Sequence, residues 1–191
     1  MFTVITESLA LLQSAGAAVT DATKDSPTPC SDWTVTQVLQ HAAGDQLAWA
    51  AALGTGTGPS YNPFEPTGSL GGSISDLIDP AISTATTAWS TVAEEDPAVG
   101  TPLPQGPLPA PTAAAACALD AAVHAWDITV AVGLPSPLTP ELAAQILPAA
   151  HEIVELLRQY GAYGPALDAE PGDDAAAELL RYLGRNPNWK P

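Results

Sequence analysis

The sequence predicts an all-α protein, a four-helix bundle with additional C-terminal helices. Three observations carry that expectation. Apolar residues recur every three or four positions over long stretches, without the alternation of a half-buried strand. Alanine is abundant within a composition that is 46% hydrophobic, and alanine loses no side-chain entropy on entering a helix. The 20 prolines and 15 glycines collect between the periodic stretches, where they punctuate the chain.

Taken in order, the first helix is expected from Thr3 to Thr23, with Val4, Ile5, Leu9, Leu11, Leu12, Ala15 and Val19 at helical period. Asp25-Ser26-Pro27-Thr28-Pro29 then cannot continue it. The second helix opens with a capping box, Thr34 three residues before Gln37, with Trp33 in position to staple onto Val38. It should run to about Leu53 and carry His41 and Asp45. The stretch from Gly54 to Ser73 contains Tyr61 and Phe64 and is long for a connection in a compact domain. It is expected to cover one end of the bundle as a lid. A third helix should run from Ser75 to Glu94, followed by a proline-rich segment with a short extended pair around Gln105-Gly106. Three more helices are expected: Thr112 to Val132, Pro140 to Tyr160 and Asp173 to Gly184. Residues 1–191 suit one domain with a sizeable core.

Charge excludes several functions. With 21 acidic and 5 basic residues the net charge is −16, which repels nucleic acid and anionic membranes alike. The same field concentrates cations. No apolar run reaches the roughly eighteen to twenty residues of a transmembrane helix. The N-terminal stretch lacks a basic segment, and Glu7 and Gln13 interrupt its apolar face. The expected location is the cytoplasm. Cys30 and Cys117 form no metal-type or redox-type pair by spacing and read as plain thiols.

The chemistry centres on Leu119-Asp120-Ala121-Ala122-Val123-His124-Ala125-Trp126-Asp127. On a helix Asp120 and His124 fall one turn apart on one face. The flanks are small or apolar, so Asp120 is costly there unless it has a partner. A metal ion is one such partner, and His41 from the second helix is the third ligand of choice. A hydrogen-bonded or ion-paired Asp–His couple on a wet face is the plainer reading of the same spacing. His151, beside Glu152 and Glu155, reads as an exposed histidine and a reserve ligand. Asp127 and Asp45 are either hydrogen-bond partners of the histidines or surface charges. No nucleophile elbow and no phosphate loop occurs.

Pro27-Thr28-Pro29-Cys30-Ser31-Asp32-Trp33-Thr34-Val35, with Val38-Leu39-Gln40-His41, resembles the opening of the mycothiol-dependent maleylpyruvate isomerase N-terminal group, within the DinB/YfiT-like superfamily. Val123-His124-Ala125-Trp126-Asp127-Ile128 looks like its second signature. Leu180-Arg181-Tyr182-Leu183-Gly184-Arg185-Asn186-Pro187 looks like the close of its stand-alone members. The resemblance implies a four-helix bundle holding a divalent metal, usually zinc, on two histidines and a carboxylate: here His41, Asp120 and His124. The isomerase has Glu where this chain has Asp120. The implied co-substrate is a small thiol such as mycothiol, acting on an unidentified acceptor, in a monomer or homodimer. A dicarboxylate substrate would call for arginines, and only Arg158, Arg181 and Arg185 are present. The resemblance therefore points to a thiol-dependent S-transferase or isomerase-like enzyme. The alternative is a non-catalytic metal- or ligand-binding bundle serving as a sensor or interaction module.

Overall fold

A computed structural model describes residues 2–30 and 32–191. Six helices are present among the described residues: α1 (Thr3–Ala18), α2 (Val35–Ala52), α3 (Ile74–Trp89), α4 (Ala110–Ala131), α5 (Pro140–Gln159) and α6 (Ala175–Tyr182). The first four close a ring. α1 packs on α4, α4 on α2, α2 on α3, and α3 back on α1. α5 lies against the outer side of α4, and α6 against α5. This is the expected bundle with C-terminal additions.

α4 is the hub because it is apolar all round, the signature of a helix enclosed by others. All of it is buried except Pro111, Thr112 and Asp120. It is also the one described helix long and apolar enough to cross a membrane, with a mean hydropathy of 1.2. That differs from the reading of the apolar runs above. The residues of that stretch are 89% buried inside the bundle, so the apolar surface is used by α1, α2 and α5. Trp49, Trp89 and Trp126 fill the space its small side chains leave, all 2% exposed or less.

Local signals set the start of α2. Thr34 accepts from the Gln37 amide, and Gln37 Oε1 accepts from the Thr34 amide at 3.0 Å, a complete capping box. Two further amides of its first turn are met from outside: Val35 N donates to Ser26 O, and Thr36 N to Lys24 O at 2.9 Å. That use of the Lys24 and Ser26 carbonyls explains why α1 stops at Ala18, five residues before the expected end. Residues after Val19 turn to deliver those carbonyls. α3 likewise ends at Trp89 rather than Glu94. Ser90 and Thr91 fold their hydroxyls back onto the Thr87 and Ala88 carbonyls, occupying groups at the helix end. The expected extended pair is a single antiparallel bridge, Val99 to Leu108, turned by Gly106 at φ +80°.

The connection between α2 and α3 is fastened along α2. Gln37 Nε2 donates to Pro66 O, Gln40 Nε2 to Ser69 O, and the Tyr61 hydroxyl to Gln40 O at 2.6 Å. Gly68 N donates to Gln40 Oε1 at 2.8 Å. A Cβ on Gly44 would stand 2.6 Å from Pro63 Cβ, so glycine permits this approach. These contacts hold residues 61–69 against the first half of α2.

Candidate metal centre

Helical spacing brings three predicted residues together. His41, one and a half turns into α2, and Asp120 and His124, one turn apart on α4, each offer an atom within 4.8 Å of the others. Asp120 Oδ1 lies 3.4 Å from His124 Nε2 and 3.8 Å from His41 Nε2. The two imidazole rings stand edge to face, 4.8 Å between centroids. Both histidines are 7% exposed, so the cluster lies just beneath the surface.

The far nitrogen of each ring fixes its proton. His41 Nδ1 faces the Pro63 carbonyl at 3.0 Å. His124 Nδ1 faces Asp127 Oδ2 at 3.0 Å. A carbonyl and a carboxylate only accept, so each Nδ1 carries hydrogen, and in that tautomer the Nε2 atom, the one facing Asp120, is the ring's ligating nitrogen. Two such nitrogens and one carboxylate oxygen then converge with no arginine or lysine among them. Such a set needs a cation, either a proton or a metal. Ligand atoms around a tetrahedral ion with bonds near 2.0–2.1 Å stand about 3.3 Å apart; the two distances from Asp120 Oδ1 are 3.4 and 3.8 Å, and no pair in the set exceeds 4.8 Å. The donor set fits a divalent transition metal.

Asp120 is oriented from behind. Trp89 Nε1 donates to Cys117 Sγ, Cys117 donates to Gln46 Oε1, and Gln46 Nε2 donates to Asp120 Oδ2 at 3.1 Å. This chain occupies Oδ2 and leaves Oδ1 for the histidines. Cys117 is therefore a buried thiol, as read, and also a link that the sequence did not reveal. Burial pushes the Asp120 carboxyl up to about 6, with the nearby charge of Asp45 adding to it and the two histidines opposing. Asp45 Oδ2 lies 3.6 Å from His41 Nε2, and burial pushes that carboxyl up to about 7 against a hydrogen bond shared with Asp120. Two carboxyls thus crowd one spot, with Asp45 beside the three-residue set as a further oxygen.

Asp127 is not a surface charge. It is fully buried and receives a fork from Arg185, Nε to Oδ1 at 2.9 Å and Nη2 to Oδ2 at 2.8 Å. Desolvation works against its charge, but Arg185 and His124 hold it down at about 2. The other arginines are also engaged: Arg158 with Glu155, and Arg181 with Glu170 and Asp173. His151 is exposed on α5, its ring against Tyr182, and does not join the cluster.

Residues around the opening were not read from the sequence as site residues. Trp33 and Phe64 lie against the His41 ring, at 4.8 and 5.4 Å between centroids, and Phe64 is 61% exposed. Tyr163 feels the charges of Asp120, Asp45 and Arg185, and burial together with the two carboxylates raises its phenol. Burial pushes the Cys30 thiol up to about 12, so near neutral pH it stays a thiol. A surface cleft of about 750 Å³ between the end of α1 and residues 68–75 lies away from the histidines. Its charged residues are only Asp21, Lys24 and Asp25, so donor chemistry, not volume, locates the candidate site.

The model of the mycothiol maleylpyruvate isomerase N-terminal domain matches residues 5–129. Two uncharacterized proteins of Mycobacterium tuberculosis, from strains CDC 1551 and ATCC 25618, are each 31% identical to this chain over 167 residues, 83% of either length. Among solved structures, a histidine-to-alanine variant of the mycothiol-dependent maleylpyruvate isomerase superposes with a TM-score of 0.56 at 20% identity, covering 98% of this chain and 94% of its own. At that identity the superposition speaks for the fold. Together with the helical ring and the family match, it leads to one conclusion: the chain belongs to the mycothiol maleylpyruvate isomerase N-terminal domain family.

Proposed function

We propose that the chain holds one divalent ion, zinc, on His41 Nε2, His124 Nε2 and Asp120 Oδ1, and works as a mycothiol-dependent S-transferase or isomerase-like enzyme. The observation that carries the metal is the convergence of two Nε2 atoms on one carboxylate oxygen, with each Nδ1 facing an acceptor of its own. Membership of a family named for mycothiol supports the thiol. A divalent ion with an open position favours thiolate over thiol near neutral pH, which makes a ready nucleophile.

The chain's own residues have separable roles. Pro63 and Asp127 hold the two rings in the ligating tautomer. Gln46 leaves one Asp120 oxygen free. Phe64 and Trp33 give the opening an apolar rim against which a thiol's carbon skeleton can rest. The engagement of Arg158, Arg181 and Arg185 speaks against a dicarboxylate acceptor, because none is left to grip it. An uncharged electrophile suits this site better.

Metal analysis after reconstitution tests the reading, with His41→Ala and His124→Ala alongside. About one ion per chain is expected, with loss in either variant. A cobalt-loaded chain should change its visible spectrum when mycothiol is added. Stoichiometry well below one that neither variant alters would sink the metal site. Metal binding with no response to thiol would leave a metal-binding bundle without the transferase chemistry.

A further inference from the structure

We infer that Arg185, in the segment after α6, is a positioning residue for His124, acting through Asp127. This rests on the metal reading above. Asp127 Oδ2 is shared: it lies 3.0 Å from His124 Nδ1 and 2.8 Å from Arg185 Nη2. Arg185 Nε takes the other oxygen at 2.9 Å, so the carboxylate is gripped as a fork. Asp127 is 0% exposed and Arg185 7%, so water cannot substitute for either. The remaining reach of the guanidinium is taken by Leu183 O at 3.4 Å and Cys30 Sγ at 4.0 Å.

The pair has a consequence for the ring. An ionised Asp127 only accepts, which keeps hydrogen on Nδ1 and the lone pair on Nε2. Without Arg185 neither Asp127 oxygen is gripped, and the carboxylate is free to turn away from Nδ1. The ring then loses the acceptor that fixes its orientation and its Nδ1 hydrogen, and Nε2 is no longer held toward Asp120. Partners behind a ligating histidine commonly tune affinity in this way. Arg185 lies well beyond residues 5–129, the span matched by the family model, so the C-terminal segment completes a site whose ligands all lie before it.

The test uses the full-length chain freed of metal and titrated with cobalt(II) alone. Arg185→Met should weaken cobalt binding about 10- to 100-fold. Arg185→Lys, which keeps the charge and loses the fork, should weaken it less. Arg181→Met removes another buried, paired arginine, one with no link to His124, and should leave affinity unchanged. Nitrogen-15 NMR of the metal-free chain should show His124 with hydrogen on Nδ1 in the wild type and a shift away from that tautomer in Arg185→Met. A folded Arg185→Met with wild-type affinity and wild-type tautomer overturns the inference, as does an equal loss in Arg181→Met. If Arg185→Met does not fold, the same two readings on Arg185→Lys decide, and no change in either overturns it. If the wild type binds no cobalt, the metal reading fails, while the tautomer measurement still decides the role of Arg185.

Discussion

The two histidines of the candidate centre are held by different means. His41 leans on a backbone carbonyl, Pro63 O, in a connection fastened to α2 by Gln37, Gln40 and Tyr61. His124 leans on a side chain, Asp127, whose charge is balanced by Arg185 from far along the chain. The first arrangement is neutral and comes from the connection that directly follows α2. The second is long-range, ionic and buried. A neutral carbonyl needs no counter-charge, so its support is modest and distributed over several weak bonds. A buried carboxylate needs a partner, so its support is concentrated in one pair and fails abruptly.

Substitutions on the two sides should separate accordingly. The largest effect is expected for Asp127→Ala, which strands the Arg185 charge in the interior. Breaking a buried pair in this way costs about 3–5 kcal/mol. Urea unfolding of the metal-free chain measures it, and a loss under about 1 kcal/mol would mean that the pair is not the anchor described here. Next is Gly44→Ala on the His41 side. Its new methyl group must displace Pro63, an overpacking cost of about 1–3 kcal/mol. Because Pro63 carries the carbonyl that orients His41, cobalt affinity should fall in the same variant, and unchanged affinity would uncouple the connection from the ligand. Tyr61→Phe removes one hydrogen bond of the fastening, about 0.5–1.5 kcal/mol, and should raise protease cleavage between residues 54 and 73. Phe64→Ala is the smallest. An exposed side chain should change stability by less than about 0.5 kcal/mol, and metal titration should match wild type, since the ring touches His41 without orienting its nitrogens.

Legibility in the sequence follows the range of the interactions. Asp120 and His124 could be paired because a helix puts residues four apart on one face. His41 could be added because its own helix carries a readable capping box and apolar stripe. Asp45 and Asp127 were left open between hydrogen-bond partner and surface charge, because spacing on one helix cannot report what a neighbouring element brings. Arg185 is 58 residues from Asp127, and nothing in the string of letters marks their contact. Trp89, Cys117 and Gln46 likewise come from three different helices. The ends of α1 and α3 were overestimated because propensity alone does not register demands from elsewhere, such as the Lys24 and Ser26 carbonyls needed at the start of α2. The span between α2 and α3 was expected to cover one end of the bundle as a lid, and its hydrogen bonds to Gln37 and Gln40 were not legible because they join residues 28 or 29 positions apart.

The sequence by itself determined the helices, their approximate limits, the acidic character and three donor residues, all consequences of local periodicity and composition. Tertiary structure decided which way each donor atom points. That direction is set by groups behind the donors, Pro63, Gln46, Asp127 and Arg185, which are brought up by other turns, helices and segments. A lone pair's direction depends on what its opposite side is bonded to, and that neighbour is known only once the chain has packed.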